Sequence, residues 1–237
     1  MDKKEISVSL IIPTYNDQQA IIGQVLACEK ILQKLSKKYE IILADDKSTD
    51  NTWQLLQENF KNKKNYHLIR NQNNLGITKN MLNLYFIGKL DFILLYSADG
   101  DWNPDDVGNL IRTQIKQNAD IVIGRRKKKI GYTYYRNFIS MMHRLLPLLF
   151  FRIDTIDPGG IKLVRRKLIH VPLVSTSQFF EAEIIIRAKK KGHKISFYPV
   201  SYKKPKSGSG HGGALISAIM SFIDLLKLRI KFYQLSS

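Results

Sequence analysis

The sequence predicts an α/β fold in which helices flank a mostly parallel sheet. Short apolar runs alternate with helical segments along the first half of the chain, which is the pattern of successive β-α units. A polar loop rich in Asp and Asn follows each of the first four apolar runs. Because an open parallel sheet binds its ligands at the carboxyl ends of its strands, these loops are the expected site.

Each predicted strand is a short apolar run bounded by turn or charged residues. The first run is expected to stop at Pro13, and Pro104, followed by two acidic residues, marks a helix start. The predicted strands are 6–12, 39–44, 66–70, 92–96, 119–124 and 194–202. The predicted helices are 18–35, 51–60, 77–87, 105–118, 132–152, 179–190 and a tail from Ala214. A glycine-containing turn over 154–162 and a flexible loop over 203–213 complete the prediction.

The tail is predicted to be an amphipathic helix with an unusually wide apolar face. Its polar positions step by three and four residues and form one narrow stripe: Ser217, Ser221, Asp224, Lys227 and Lys231. Such a helix can pack on the domain, pair with another subunit or lie in a membrane interface. We therefore divide the chain into a domain over 1–206 and an appendage over 207–237, which holds a glycine-rich loop and this helix.

The charge of the chain is distributed very unevenly. The formal net charge is +18, yet residues 1–120 carry 15 basic and 15 acidic side chains. The entire excess lies in residues 121–237, with 23 basic and 5 acidic side chains. This asymmetry indicates a polyanionic partner for the second half, either nucleic acid or an anionic membrane surface.

Composition favours a cytoplasmic protein. The only cysteine, Cys28, excludes an intramolecular disulfide framework and fits a reducing compartment. The N-terminus shows no secretory signal, and the apolar runs 145–151 and 214–223 are too short to span a bilayer. We expect the protein to stay on the cytoplasmic side without crossing the membrane.

Two loops at the strand ends carry pairs of carboxylates that are candidates for binding a ligand. Asp99 and Asp101 flank Gly100, and side chains two residues apart in extended backbone project to the same side. Their carboxylates suit a hard cation such as Mg²⁺ or Mn²⁺, with diphosphate oxygens completing its coordination. Asp45 and Asp46 can hydrogen-bond a base or ribose, or alternatively cap the following helix.

The loop motifs, taken in order, resemble those of family 2 glycosyltransferases with the Rossmann-like GT-A fold. Later segments resemble the dolichyl-phosphate mannose synthase branch of that family. The first set of motifs comprises 9–16, 45–50, 74–76, 97–101 and 123–125. The later set comprises 136–140, the turn 154–163, Glu183 with 187–188, and 199–200 followed by the basic loop.

The resemblance implies an inverting transfer of a hexose from a nucleotide sugar of the GDP-mannose or UDP-glucose type. The acceptor would be a polyprenyl or dolichyl phosphate at the inner, cytoplasmic face of the cell membrane. Such an acceptor is already an anion near neutral pH, so catalysis would rest on positioning and charge neutralisation. A basic second half and an amphipathic tail suit an enzyme that meets a lipid-linked acceptor at an anionic bilayer surface.

The resemblance also assigns roles to individual residues. The nucleotide pocket would include Pro13, Tyr15, Asn16, Asp45, Asp46 and Ser97. Asp99 and Asp101 would bind the metal and act in catalysis with Arg136 and Asp157. Phosphates of the donor or acceptor would meet Arg125, Ser140, Lys203 and Lys204.

This chain departs from the family pattern at three places. Ser97 stands where the family usually has Asp, and Asp101 stands where Gln is common, so Asp101 is expected to replace the missing carboxylate. Lys203 or Lys204 takes the place of an arginine in the terminal basic loop. The spacing leaves open whether Asp154 or Asp157 is the aspartate of the central turn.

Three other functions compete with this hypothesis. An enzyme that extends a saccharide needs a base, for which Asp154, Asp157, Glu181 and Glu183 are candidates. A basic nucleic-acid-binding protein would explain the charge, but no binding motif is present, so we expect no nucleic-acid partner. A catalytically silent scaffold would bind nucleotide and metal without turnover.

Overall fold

The structure is a computed structural model that describes residues 6–97, 99–100, 102–127, 144–201 and 214–234. Its strands are β1 (Ile6–Thr14), β2 (Ser36–Asp45), β3 (Tyr66–Arg70), β4 (Phe92–Leu95), β5 (Ile121–Arg126), β6 (Lys162–Arg165) and β7 (Ile195–Val200). Its helices are α1 (Ile21–Leu35), α2 (Thr52–Phe60), α3 (Ile77–Ile87), α4 (Asp105–Gln117), α5 (144–151), α6 (Phe180–Lys190) and α7 (Ala214–Gln234). A short 3₁₀ helix, Arg166–Leu168, follows β6.

The strands form one sheet in the order β3-β2-β1-β4-β6-β5-β7. All neighbouring pairs are parallel except those of β6, which runs antiparallel to both β4 and β5. The mostly parallel α/β fold is therefore confirmed. The carboxyl ends of β1, β2, β4 and β5 consequently meet at one edge of the sheet, which is where ligands of such folds bind.

Strand β1 continues through Pro13 to Thr14, although the proline was expected to end it. Pro13 is paired with Ala44 of β2, whereas the pairing of β1 with β4 ends at Ile11 and Leu95. The carbonyl of Ile11 accepts a hydrogen bond from the N–H of Tyr96, so the backbone N–H and C=O groups of odd-numbered residues here point toward β4. The nitrogen of Pro13 therefore points to a side on which β4 has already ended. The sheet loses no hydrogen bond because Pro13 lacks an N–H.

Strand β6 is the element that the sequence analysis missed. It is four residues long and begins at Lys162, inside the segment predicted to be a turn. The Lys162 side chain is fully buried and pairs with Glu181, so this strand lacks the continuous apolar run that marks a buried strand. The strand over 66–70 and the helix over 77–87 have the predicted ends, and the other described strands and helices are present with shifted ends. Of the helix predicted over 132–152, residues 132–143 lie outside the described part of the chain.

Helix α7 packs on the domain through one face. Leu225 and Leu228 are buried in a cluster with Phe151, Phe179 and Ile186 of the α5 and α6 regions. The proposed boundary between residues 206 and 207 lies outside the described residues. Among the helices that the structure describes, none combines the length and apolar character needed to cross a bilayer.

Candidate functional site

The loops after β1 and β2 are bonded to each other at the carboxyl edge of the sheet. The Asn16 N–H donates to Ser48 Oγ at 3.0 Å, and the Thr49 N–H donates to Asn16 Oδ1 at 2.9 Å. Asn16 has a φ of 56°, a left-handed conformation that asparagine tolerates better than most residues. The two predicted nucleotide loops therefore form one unit, with Asn16 as its connecting residue.

Asp46 anchors a third loop to this unit. Its Oδ1 accepts hydrogen bonds from Asn71 Nδ2 at 2.7 Å and from the Leu75 N–H at 2.8 Å. Its Oδ2 accepts from the Gly76 N–H at 2.9 Å. Gly76 has a φ of 79°, a left-handed conformation that favours glycine. Asp46 therefore holds the turn between β3 and α3 against the end of β2.

Asp45 is fully buried beside Asp46 and is already paired. Arg70 Nε lies 3.2 Å from Asp45 Oδ2, and the Ser48 N–H lies 3.3 Å from both carboxylate oxygens. The start of α2 is contacted by Asp50 instead, whose Oδ1 accepts from the N–H of Thr52, the first residue of the helix, at 2.9 Å. In this structure the acidic residues of the second loop hold the backbone of that edge in place.

A cleft of about 230 Å³ opens between these loops. Its volume is below the roughly 300–1,000 Å³ of pockets that enclose a whole small molecule, so it suits one part of a ligand. The exposed ring of Tyr15 lies at its wall, opposite the loop that Asp46 anchors. The lining residues are Pro13, Thr14, Tyr15, Asp46, Asn74, Gly76, Ile77 and Asn80.

We predict that Asp46→Asn weakens nucleotide binding and destabilises the fold. An amide at this position turns an NH₂ group toward a backbone N–H, and leaving such a donor unsatisfied costs about 1–3 kcal/mol. The measurement is the melting temperature with and without nucleotide. Glu58→Gln, on the outer face of α2, is the control. Equal nucleotide-induced shifts in Asp46→Asn and wild type would exclude this anchoring role.

The loop after β4 carries Asp99 and is closed by a buried tyrosine. Tyr96 is fully buried, and its Oη lies 3.0 Å from the carbonyl oxygen of Trp102 and 2.5 Å from Gln24 Oε1. Burial raises the pKa of Tyr96 above its ordinary value, and the nearby Cys28 and the negative charge of Asp99 add to that rise. The contact with Trp102 fixes the far end of the loop to its beginning.

The described part of the loop suits a hard cation and a diphosphate. Gly100 has a φ of 87°, and a Cβ built there would meet no atom within 4 Å, so the backbone is open to a ligand. Asp99 is partly exposed beside it and supplies a carboxylate. Among the described residues no three His, Cys, Asp or Glu side chains form a metal cluster, and Asp101 lies outside them. The Asp99 and Asp101 pair therefore stays a prediction.

The end of β5 presents one exposed arginine and one buried arginine. Arg125 is exposed, and its guanidinium lies 5.6 Å from the centroid of the Phe197 ring. Arg126 turns inward and forms an ion pair with Asp157, in which both side chains are nearly buried. A Cβ at Gly160 would lie 2.3 Å from the carbonyl oxygen of Gly124, so the turn 154–161 packs directly against this strand end.

The two aspartates of the central turn have different surroundings. Asp157 lies at the sheet edge beside Arg126, whereas Asp154 binds Arg144 of α5 near the surface at 2.7 and 3.0 Å. Hydrogen bonds from Arg144 lower the pKa of Asp154, which makes it a weaker base. Of these two residues, only Asp157 contacts a strand end that carries a predicted site residue.

The other carboxylates considered as bases are buried in α6. Glu181 binds Lys162 Nζ at 2.5 Å, and Glu183 accepts hydrogen bonds from the backbone of Val174 and Ser175 and from Arg187. Glu181 and Glu183 are 6% and 0% exposed, so neither reaches the cleft surface. Both residues hold the fold of this region together.

Five predicted site residues lie outside the described part of the chain, namely Asp101, Arg136, Ser140, Lys203 and Lys204. The structure brings Pro13, Tyr15 and Asp46 to one cleft, while Ser97 and Asp99 follow β4 and Arg125 lies at the end of β5 at the same edge. Asn80, Trp102 and Arg126 were not predicted. Of these, Asn80 carries a signal in the sequence, because it is a polar residue at helical spacing from Ile77 and Leu84.

Comparison with known proteins identifies the family and the fold. Residues 9–171 match the family described as "Glycosyl transferase family 2". The chain is 32% identical over 139 residues to "Dolichol-phosphate mannosyltransferase" of Pyrococcus furiosus, an alignment that covers 57% of this chain and 38% of that protein. It is 24% identical over 253 residues to "Dolichyl-phosphate beta-glucosyltransferase ALG5D" of Trichomonas vaginalis, covering 99% of this chain and 76% of that protein.

Solved structures share the fold at low sequence identity. Glucosyl-3-phosphoglycerate synthase from Mycobacterium tuberculosis, crystallised with Mn²⁺ and UDP, superposes with a TM-score of 0.69 at 14% identity, covering 94% of this chain and 80% of that chain. Mannosyl-3-phosphoglycerate synthase from Rubrobacter xylanophilus superposes with a TM-score of 0.70 at 14% identity, covering 97% and 75%. The expected GT-A fold and the resemblance to the dolichyl-phosphate glycosyltransferase branch are confirmed.

Proposed function

Because the chain belongs to glycosyl transferase family 2, we propose that it transfers a hexose from a nucleotide sugar to a polyprenyl phosphate, with inversion and with a divalent cation. The observation that carries the proposal is the meeting of three features at one sheet edge. They are the cleft beside Asp46, the loop of Asp99 and the exposed Arg125 at the end of β5. The sugar donor is of the GDP-mannose or UDP-glucose type.

The donor is proposed to bind along this edge. The base and ribose occupy the cleft, whose wall includes the exposed Tyr15 ring and the exposed Asn74. Ser97 and Asp99 follow β4 beside it, and the diphosphate approaches the open backbone at Gly100. Asp99 and Asp101 would hold Mg²⁺ or Mn²⁺, and the cation would supply positive charge beside the diphosphate leaving group.

The acceptor is proposed to be a phosphate on a long isoprenoid chain. The names of the Pyrococcus and Trichomonas relatives refer to dolichol phosphate. Arg125 offers an exposed guanidinium to such a phosphate. Arg136, Ser140, Lys203 and Lys204 complete the phosphate contacts in this proposal. A phosphate oxygen is anionic near neutral pH, so the chain needs to orient it rather than deprotonate it.

Helix α7 supports contact with a membrane because two residues of its polar stripe, Ser221 and Asp224, face the domain. Ser221 and Asp224 are 2% and 0% exposed, and Asp224 Oδ2 accepts hydrogen bonds from the N–H groups of Thr176 and Ser177. The outward face is apolar, and its most exposed members are Ile216, Ile219, Phe222, Ile230 and Tyr233. The exposed Lys227 and Arg229 lie on the same helix. Apolar side chains flanked by cations fit an anionic bilayer surface.

We predict that Ile219→Glu with Phe222→Glu lowers the affinity for anionic vesicles by at least about tenfold, since each large apolar side chain removed from water contributes roughly 1.5–3 kcal/mol. Both residues are exposed on α7, so the fold should tolerate the change. Vesicle cosedimentation measures the loss. Phe86→Glu with Ile87→Glu, two exposed positions on α3, is the control. Equal binding by all three proteins would remove α7 from the proposal.

A thermal-shift screen tests the donor part of the proposal. A ligand that binds only the folded state raises the melting temperature, by an amount that grows with its concentration over Kd. We expect UDP or GDP and the matching sugar to raise it, and Mn²⁺ to enlarge the shift. Stabilisation by oligonucleotides without competition from either nucleotide would favour a nucleic-acid-binding protein. The absence of any nucleotide shift would contradict the proposed function.

A further inference from the structure

Asp157 uses both carboxylate oxygens to hold Arg126. Its Oδ2 accepts from the Arg126 backbone N–H at 3.1 Å and from Nε at 2.8 Å, while Oδ1 accepts from Nη2. The two side chains are 7% and 9% exposed. The backbone N–H of Arg126 belongs to the peptide bond that joins Arg126 to Arg125. Asp157 therefore fixes the backbone immediately after Arg125, as well as the neighbouring side chain.

Arg126 in turn contacts the loop that carries Asp99. Its guanidinium lies 6.0 Å from the centroid of the Trp102 ring, at the outer limit of a cation–π contact. The Trp102 backbone is tied to Tyr96 through the 3.0 Å contact described above. Tyr96, Trp102, Arg126 and Asp157 thus form a continuous set of buried contacts, which we call the brace. The brace joins the ends of β4 and β5 to the central turn.

The backbone beneath the brace leaves little freedom for adjustment. The Gly124 N–H donates to the Ile161 carbonyl at 2.7 Å, and the Gly160 N–H donates to the Asp157 carbonyl at 3.0 Å. A Cβ at Gly160 would clash with the carbonyl oxygen of Gly124, and a Cβ at Gly124 would lie 2.7 Å from the Ile161 side chain and 3.1 Å from its carbonyl oxygen. The position of the Asp157 carboxylate relative to Arg125 is therefore set by packed backbone.

We propose that Asp157 is a positioning residue that, through Arg126 and Trp102, sets where the Arg125 guanidinium lies relative to the Asp99 loop. This rests on the proposed function, in which Arg125 meets a phosphate and Asp99 meets the metal. The sequence analysis gave Asp157 a catalytic role and considered it as a base. A carboxylate whose two oxygens both accept from a buried guanidinium is suited to holding that guanidinium in place rather than to accepting a proton.

The test is a double-mutant cycle on Asp157 and Arg125, read from steady-state transfer to polyprenyl phosphate. Asp157→Asn keeps the shape but turns an NH₂ group toward Arg126. We expect the KM for the acceptor to rise about tenfold, with little change in the KM for the donor. Arg125→Ala should then raise the acceptor KM much less in the Asp157→Asn background than in wild type, because the effects of substitutions within one network of contacts are not additive.

The matched control is Asp120→Asn at the opposite end of β5. Asp120 also pairs with an arginine, since Arg165 Nε lies 2.6 Å from its Oδ1. This variant should lower the melting temperature and leave the acceptor KM unchanged. If Asp157→Asn behaves in the same way, or if its losses add to those of Arg125→Ala, Asp157 is a purely structural residue and the proposal is wrong. If Asp157→Asn does not fold, Arg126→Lys provides the same comparison, because it keeps the positive charge but loses the guanidinium that donates to both oxygens of Asp157.

A second readout does not depend on the reaction. The chain has two tryptophans and 11 tyrosines. Trp53→Phe leaves Trp102 as the sole tryptophan, which can be excited selectively over the tyrosines. In that background Asp157→Asn should raise acrylamide quenching of Trp102, whereas Asp120→Asn should not. Unchanged quenching overturns the brace even where transfer is observed. Increased quenching in Asp157→Asn, together with no transfer to polyprenyl phosphate by the wild-type protein, would support the brace and contradict the proposed function.

Discussion

Asp99→Asn is expected to lower the rate of hexose transfer by about a thousandfold. A bound metal stabilises the charge that develops in the transition state by several kcal/mol, and each 1.36 kcal/mol changes the rate by about a factor of ten. Asp99 is partly exposed beside the open backbone at Gly100. The neutral amide would weaken binding of the cation and leave the nucleotide cleft intact. Transfer rates measured against Mn²⁺ concentration, with Mn²⁺ binding followed by electron paramagnetic resonance, give the result.

Two further variants make this experiment specific. Asp105→Asn removes an exposed carboxylate in the first turn of α4, six positions along the chain, and should retain the wild-type response to Mn²⁺. Asp101→Asn tests whether this residue replaces the carboxylate that the family usually carries at Ser97. If Asp101→Asn keeps full metal-dependent activity, Asp99 binds the ion with water and substrate alone. If Asp99→Asn keeps it, the metal site assigned to this loop is wrong.

Lys162→Met is expected to destabilise the protein by about 3–5 kcal/mol, because it leaves the buried Glu181 without its partner. Lys162 is fully buried on β6, and its Nζ lies 2.5 Å from Glu181 Oε1. Burial raises the pKa of Glu181, and Lys162 opposes that rise. For a chain of this size the loss corresponds to a fall in melting temperature of roughly 6–20 °C.

The double variant Lys162→Met with Glu181→Leu separates the contribution of the ion pair from that of the packing of the two side chains. Replacing a buried ion pair by apolar residues of similar volume is often neutral, so the double variant should regain most of the lost stability. Lys63→Met breaks a surface pair of 3.9 Å with Glu29 and should change stability by no more than about 1 kcal/mol. Urea unfolding of the variants measures these differences. A single variant as stable as wild type would show that the pair contributes nothing.

The sheet was predictable because its parallel strands are continuous apolar runs. β1 and the carboxyl half of β2 are buried along their length, so their hydropathy marks them directly. β6 escaped prediction because it opens with a lysine whose charge is compensated by a helix far along the chain. The extension through Pro13 was likewise hidden, since it depends on where the neighbouring strand β4 ends.

The site was predictable at the level of loops but not of contacts. The β-α pattern placed Asp45, Asp46 and Asp99 at the carboxyl edge of the sheet, where the structure has them. Neither that pattern nor the family resemblance indicated that Asp46 accepts hydrogen bonds from the loop 71–76 or that Asp157 holds Arg126. These partners lie about 30 residues away along the chain. Hydrogen bonds across such separations leave no local pattern in a sequence.

The orientation of α7 shows the same limit. Its stripe of polar residues was predicted correctly, and a polar stripe on a surface helix ordinarily faces water. Here the stripe is turned inward at Ser221 and Asp224, because the N–H groups of Thr176 and Ser177 need acceptors. Leu225 and Leu228 also pack inward, whereas Ile219, Phe222 and Ile230 are left outside. Only the structure of the loop before α6 reveals which way such a helix faces.

The most direct measurement of the proposed function is transfer itself. Purified protein is incubated with polyprenyl phosphate, Mn²⁺ and each of the common UDP- and GDP-hexoses, and the lipid fraction is analysed by mass spectrometry and NMR. The proposal predicts a polyprenyl-phosphate hexose whose anomeric configuration is opposite to that of the donor, with loss of product after chelation of the metal. Transfer to a saccharide instead, or no lipid-linked product from any donor, would contradict it.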